Sequence, residues 1–218
     1  MKWASVHRAG VAVSFDLFGT LLDVDRPTDP AAAVGRALAD RGVDVPPDWP
    51  AAYAESHRSF PPGRERPLAA HVADALASRS VNVSRELAAR AVADAFEPAG
   101  VRTRPGAPGA VASARESGPV GVCSNCSVAG LVERALAASR LDRAAFDAVV
   151  TSVDCGWRKP DRRAFEAVAD GLGVAVPDLV HVGDGPATDG GVREAGGTFV
   201  HVGDGPATLA DGPEGWPC

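Results

Sequence analysis

Four short segments of this 218-residue chain carry side chains that could share one reaction centre. Ser14-Phe15-Asp16-Leu17-Phe18-Gly19-Thr20-Leu21 ends an apolar run on a carboxylate, with a glycine turn behind it. Val122-Cys123-Ser124-Asn125 ends another run on a hydroxyl and an amide. Gly156-Trp157-Arg158-Lys159-Pro160 supplies an ammonium. Val182-Gly183-Asp184-Gly185 supplies a second acid, and Asp189 follows five residues after Asp184. Singly these are ordinary turns and strand ends. In this order they are the parts of a phosphoryl-transfer site: a carboxylate nucleophile, a cation, hydroxyl and amide donors, and oxygen ligands for a metal.

Asp16 is the expected nucleophile. A carboxylate approaching a phosphate dianion is repelled, so the reaction needs positive charge against both partners. Asp16, Asp184 and Asp189, with the backbone carbonyl of Phe18, form an all-oxygen donor set suited to Mg2+. Lys159 is expected to hold Asp16 ionised and to contact the phosphate. Ser124, the backbone amide of Asn125, Gly19 and Thr20 complete the expected phosphate seat. The chain has two lysines, Lys2 and Lys159, against twenty arginines. A lysine kept inside a motif in such a chain points to a need for a compact ammonium, which a guanidinium fork does not replace.

Such residues must be held by rigid elements. Val11-Phe15, Val120-Ser124, Ala148-Ser152, Leu179-Val182 and Thr198-Val202 read as strands, with helical patterns at Ala107-Glu116, Ala129-Ser139, Arg162-Leu172 and Thr188-Ala195. That alternation predicts βαβ units and a parallel sheet. Asp16, Ser124 and Asp184 each fall where a strand ends, the rim at which open α/β sheets bind ligands. Residues 23–103 read differently, as four helices, Pro30-Arg41, Pro50-Phe60, Leu68-Arg79 and Ser84-Phe96, with no strand among them. Placed directly after the first strand, they are expected to form a cap that excludes water and selects substrates. Trp49, Tyr53 and Phe60 are expected in the cap core, and Arg58, Arg64 and Arg66 on a solvated face.

Bulk properties narrow the function classes. The net charge of −6 and the lack of basic runs give no case for nucleic acid. No apolar stretch reaches membrane-span length. No export signal is evident and the four cysteines suggest no disulfide framework, so a cytoplasmic location is expected. Cys123 and Cys126 form half of a zinc site at most, and Cys123 reads as a small apolar strand residue. The partner expected is a small-molecule substrate; the sequence does not set an oligomeric state. One nine-residue segment, Val180-His181-Val182-Gly183-Asp184-Gly185-Pro186-Ala187-Thr188, recurs identically at Val200-Thr208. Only the first copy runs on into an acid and a helical pattern, so it is assigned the chemistry and the second is expected to be a further strand. The Gly/Pro-rich tail from Asp211 is expected to be poorly ordered.

With these motifs assembled, the chain resembles the haloacid dehalogenase superfamily of hydrolases over roughly residues 10–203. The resemblance rests on Phe15-Asp16-Leu17-Phe18-Gly19-Thr20-Leu21, Ser124-Asn125, Arg158-Lys159-Pro160-Asp161, and Gly183-Asp184-Gly185-Pro186-Ala187-Thr188-Asp189. It implies an α/β, Rossmann-like three-layer sandwich with a mainly parallel sheet, residues 1–22 and 104–218, plus a helical cap subdomain over 23–103. It also implies Mg2+ and an aspartate nucleophile at Asp16, and most members are phosphatases.

One position departs from the family's phosphatases, which place a second Asp two residues after the nucleophile to protonate the leaving group. Here it is Phe18. General acid catalysis is worth roughly 10²–10⁴-fold, so alkyl phosphates should be poor substrates. The cap could supply the acid from His57, His71, Glu55 or Glu65. The leaving group could need no proton, as in an acyl or aryl phosphate. Alternatively Asp16 attacks carbon, because the family's dehalogenases carry an aromatic residue at this position. Asp184 weighs against that last reading, since a surplus carboxylate without a metal would be repelled by Asp16. A non-enzymatic reading, a metal- or phosphate-binding protein without turnover, stands beside these. A relative that forms a Schiff base through a cap lysine is disfavoured, because residues 23–103 contain no lysine.

Overall fold

The structure, a computed structural model, describes residues 11–203. Its centre is a five-stranded sheet built from β1 (Ala12–Phe15), β4 (Val120–Ser124), β5 (Ala148–Thr151), β6 (Leu179–Gly183) and β7 (Thr198–His201). The spatial order is β5-β4-β1-β6-β7, and every neighbouring pair is parallel. Every residue of β1, β4 and β6 is buried, which is why these strands read as continuous apolar runs rather than alternating ones.

Alternation along β1 splits the core into two packed layers. Val13 and Phe15 join the face that carries α5 (Ala107–Ser117) and α6 (Leu131–Ala137), with Val111 and Leu136 as contacts. Ala12 joins the opposite face, packed by Phe165, Val168 and Leu172 of α8 (Arg162–Leu172). α8 starts on Asp161, whose side chain accepts from Arg163 N, and stops at Gly173 in a left-handed conformation. The result is the three-layer, Rossmann-like α/β arrangement.

Between β1 and β4 the chain builds a helical insertion from α1 (Pro30–Ala39), α2 (Trp49–Ala54), α3 (Leu68–Ala77) and α4 (Arg85–Ala95). α1 and α4 are capped by Asp29 and Ser84, whose side chains accept from Ala32 N and Leu87 N. Val34, Leu38, Trp49, Val72, Leu76 and Ala91 are buried within it. Trp49 donates its indole N–H to Ala31 O at 2.7 Å, which satisfies its one polar atom. Tyr53 and Phe60 are half-buried.

Several expected boundaries are corrected. Two strands, β2 (Leu22–Asp25) and β3 (Ala99–Thr103), pair antiparallel where the insertion leaves and rejoins the sheet domain. They were invisible to periodicity because each is short and mostly exposed, and their pairing shifts register between Asp23 and Asp25. The helix expected over Pro50-Phe60 stops at Ala54, where Glu55 turns extended (ψ 150°). Beyond it, the chain satisfies itself locally: His57 Nε2 meets Ala52 O at 2.7 Å and Ser56 Oγ donates to Arg58 O at 3.3 Å. The helix expected over Thr188-Ala195 is a 3₁₀ turn, Asp189–Val192. A four-residue helix, α7 (Ser152–Cys155), takes up the end of the expected Ala148-Ser152 strand. Among the described residues no helix is long and apolar enough to cross a membrane. The tail from Asp211 and most of the second repeat lie outside the described residues.

Candidate active site

The four motifs meet at the carboxyl edge of the sheet. Asp16 follows β1 and donates its backbone N–H to Val182 O at 2.8 Å, which fixes it beside β6. Lys159, 2% exposed, reaches under this edge from the loop before α8. Its ammonium contacts Asp16 Oδ1 at 2.8 Å, Asp189 Oδ1 at 2.6 Å and Cys123 O at 2.6 Å, with His181 Nε2 at 3.4 Å. Asp184 stands at the more open side, joined to Thr20, whose hydroxyl lies 3.2 Å from Asp184 Oδ1 and accepts from Asp184 N at 3.1 Å. Asp16, Asp184 and Asp189 each offer an oxygen within 4.8 Å of the others.

Charge decides how these groups behave. Burial raises the Asp16 pKa, with repulsion from Asp189 adding to it and Lys159 opposing. Burial works against the Lys159 ammonium, but attraction to Asp16 and Asp189 outweighs it and raises its pKa, so Lys159 stays protonated. Asp189 is held below the usual carboxylate range: burial opposes its ionisation, and bonds from His181 and the Lys159 charge overcome that. His181 is fully buried, and burial reinforced by Lys159 lowers its pKa to about 4. It is therefore neutral near pH 7. Two acids, Asp16 and Asp189, thus touch one ammonium, and Asp184 lies close to both.

The remaining expected residues divide. Ser124, 2% exposed, has a hydroxyl oxygen with no hydrogen-bond partner among the described residues, although buried polar groups are rarely left unpaired. It lies one residue beyond the carbonyl that anchors Lys159. Asn125 has its side chain turned to Lys159: Oδ1 accepts Lys159 N at 2.8 Å and Nδ2 donates to Lys159 O at 3.0 Å. It clamps the loop that carries the ammonium. Gly19 adopts φ +91°, and a side chain there would overlap the Asp184 carboxylate. Gly183 backs Asp189 in the same way, and Gly191 packs against Pro160. Phe18 turns beside a cavity of about 110 Å³, with the Arg26 guanidinium 5.7 Å from its ring centroid.

Asp189 sits in the acidic cluster, but both its oxygens are engaged inside the protein. Oδ1 meets Lys159 and His181, and Oδ2 accepts Gly185 N at 2.9 Å. Its geometry makes it a holder of the ammonium.

Sequence reasoning missed His181, which bridges Ser14 Oγ at 2.8 Å and Asp189 at 3.1 Å. A histidine in an apolar run beside an acidic motif was the available signal. The acids considered in the insertion are engaged elsewhere. Glu55 pairs with Arg79 at 2.6 Å, His57 meets Ala52 O, His71 meets Tyr53 O at 2.7 Å, and Glu65 is buried against Ser152. None of the four lines the cavity beside Phe18. Arg58 pairs with Asp74, Arg64 lies over Trp157 and Arg66 over Phe60. Cys123 is a buried thiol pushed up to about 12 by burial, which suits an inert strand residue.

A parallel sheet with acids, a lysine and an orphan hydroxyl at its carboxyl rim is the arrangement of an α/β protein with a polar site at the strand ends. The family model for haloacid dehalogenase-like hydrolases matches residues 11–197, and the chain belongs to that family. No curated protein matches the chain. Among solved structures, it is similar to a predicted phosphoglycolate phosphatase from Haemophilus somnus 129pt, at 17% identity and a TM-score of 0.55, covering 88% of this chain and 84% of that one. It is similar to L-2-haloacid dehalogenase from Xanthobacter autotrophicus, at 20% identity and a TM-score of 0.53, covering 88% and 77%. The putative hydrolase YfnB from Bacillus subtilis, bound to magnesium, gives 16% identity, a TM-score of 0.51 and 88% coverage of each chain. At these identities the likeness is one of fold.

Proposed function

We propose that this chain is a Mg2+-dependent phosphohydrolase acting on a small phosphate ester or acyl phosphate, with residues 23–103 as its cap and a cytoplasmic location. The observation that carries the reading is the charge balance at the rim. Asp16, Asp184 and Asp189 lie together with the Lys159 ammonium touching two of them and His181 neutral, so carboxylates outnumber the cations at the rim. Such a cluster suits a divalent cation, whose charge would offset the burial that raises the Asp16 pKa, and hard carboxylate oxygens suit Mg2+. Asp16 and Asp184, with the Phe18 carbonyl, would hold the ion; Asp189 contributes through Lys159. Bound there, the ion supplies charge neutralisation for the acids and for a phosphoryl group.

In this mechanism an Asp16 oxygen attacks phosphorus, the bond to the leaving oxygen breaks, and an aspartyl-phosphate forms. Lys159, together with a bound metal, would favour the Asp16 anion against its burial and face the phosphoryl oxygens, and Ser124 donates its free hydroxyl to one of them. Gly19 and Thr20 bring backbone close to the phosphate. Water then attacks phosphorus and releases Asp16. Phe18 offers no proton to the leaving group, which favours acyl or aryl phosphates that depart without protonation. The cavity beside it is lined by Phe96, Leu131 and Val128 together with Asp25, Arg26 and Glu97.

The rival is dehalogenation of a small 2-haloacid, favoured by the aromatic residue at position 18; the fold is shared with proteins named for both activities. Acetyl phosphate, p-nitrophenyl phosphate, an alkyl phosphate and 2-chloropropionate should be assayed with Mg2+ and with EDTA. The first two are expected to turn over only with the metal, and Asp16→Asn should reduce that turnover by about 10⁴-fold or more. Halide release that survives EDTA would overturn the phosphatase reading in favour of its rival. Binding of phosphate without turnover of any compound would leave only a binding protein.

A further inference from the structure

We propose that residues 63–68, the stretch leading into α3, form a strap that registers the loops carrying Ser124 and Lys159, with Glu65 as the positioning residue that fixes it. This rests on the reading of Ser124 and Lys159 as working groups.

The insertion joins the sheet domain through β2 and β3, but it also touches it through this strap. Glu65 N donates to Gly156 O at 3.0 Å, and Arg158 N donates to Gly63 O at 2.9 Å. These two bonds bracket a short antiparallel bridge between Arg64 and Trp157, two residues before Lys159. Trp157 is further gripped by two guanidinium groups, Arg64 at 4.9 Å and Arg163 at 3.1 Å from its ring centroid. Leu68 N donates to Ser127 O at 2.9 Å, on the loop that follows Ser124. One strap therefore holds both loops.

Glu65 is 3% exposed, and among the described residues no cation pairs with its carboxylate. Burying such a group without a counter-charge is costly unless its oxygens are hydrogen-bonded. They are: Oε2 takes the Ser152 hydroxyl and Oε1 takes Arg66 N at 2.8 Å. Ser152 Oγ in turn accepts Cys126 N at 2.9 Å, two residues beyond Ser124. The same oxygen lies 3.2 Å from Cys126 O, and a hydroxyl has one proton to give. With Glu65 taking that proton, the lone pairs of Ser152 stay directed at the Cys126 amide. Without it, the proton turns to Cys126 O and the grip on the amide weakens. An apolar residue would fill the space at lower cost but could not set the hydroxyl.

The test is residue-resolved amide hydrogen exchange on the full chain with Glu65→Ala, Glu65→Gln and Ser152→Ala, alongside kcat and KM on p-nitrophenyl phosphate. In Glu65→Ala the amides of Cys126, Arg158 and Leu68 are expected to exchange about tenfold faster or more, while those of Val180 to Val182 keep the wild-type rate. Glu65→Gln keeps an acceptor for Ser152 and should return exchange to within about threefold of wild type. kcat/KM should fall about tenfold in Glu65→Ala and recover in Glu65→Gln, because the loops that carry Ser124 and Lys159 lose their registry in the first and keep it in the second. Equal acceleration in β6, no acceleration anywhere, or a Gln variant that behaves like Ala would overturn the proposal. Should Glu65→Ala fail to fold, Ser152→Ala cuts the same link from the sheet side, and the same local pattern must appear or the proposal falls. If wild-type protein hydrolyses nothing, the phosphohydrolase reading fails while the exchange pattern still decides the strap.

Discussion

Two copies of Val-His-Val-Gly lie side by side as neighbouring strands, Val180–Gly183 in β6 and Val200–Gly203 running on from β7, and they meet opposite fates. In β6 the histidine is wholly buried between Ser14, Asp189 and Lys159. In β7 the histidine is exposed, meets the Asp184 carbonyl at 3.2 Å, and has its ring 6.1 Å from that of Phe199. The letters are the same. What differs is place: His181 is the middle residue of β6, between β1 and β7, whereas His201 ends β7, the last strand of the sheet, opposite Gly183. An interior strand turns a polar side chain into part of a charge network, because water cannot compete for it; an edge strand leaves it a surface contact.

The comparison can be broken from several sides. The largest effect is expected from Lys159→Met, which removes the ammonium beside two buried acids. Denaturant unfolding should show a loss of about 3–5 kcal/mol, because an uncompensated buried charge remains. Acid should act next. His181 resists protonation down to about 4 in the folded protein, whereas an unfolded histidine accepts a proton near 6.5. Between those values the unfolded state binds more protons, so stability falls as pH drops through that window, by on the order of 3 kcal/mol. His181→Gln should flatten that slope in pH-dependent urea melts.

Smaller differences sharpen the contrast. His181→Ala should lose about 2–3 kcal/mol through the cavity and the orphaned partners. Thr20→Val frees Asp184 from its hydroxyl, and calorimetric titration with Mg2+ should show affinity weakened about tenfold or more. His201→Ala, the same change one strand over, should stay within about 0.5 kcal/mol. Equal losses for the two histidines would mean that strand position does not govern their roles.

The sheet and the meeting of Asp16, Lys159 and Asp184 were legible because phosphoryl chemistry and βαβ periodicity both mark residues at strand ends. The β2–β3 ribbon was not legible, since Leu22 is its one fully buried residue and neither strand shows sustained alternation. Asn125 was read for its backbone amide; the second role, a side chain that clamps the Lys159 backbone, was not legible because sequence does not show side-chain direction. The acids of the insertion were unreadable for a related reason. Whether a carboxylate such as Glu65 meets substrate or scaffold depends on how two separate units dock, and local sequence carries no record of that.

Gly19, Gly183 and Gly191 bring bare backbone against Asp184, Asp189 and Pro160. A wall of that kind has no side chain to trade, so the reactive rim is closed to gradual retuning by point substitution. Diversification toward new compounds therefore falls to the helices and connecting loops above it, where residues can change size and charge without crowding the carboxylates.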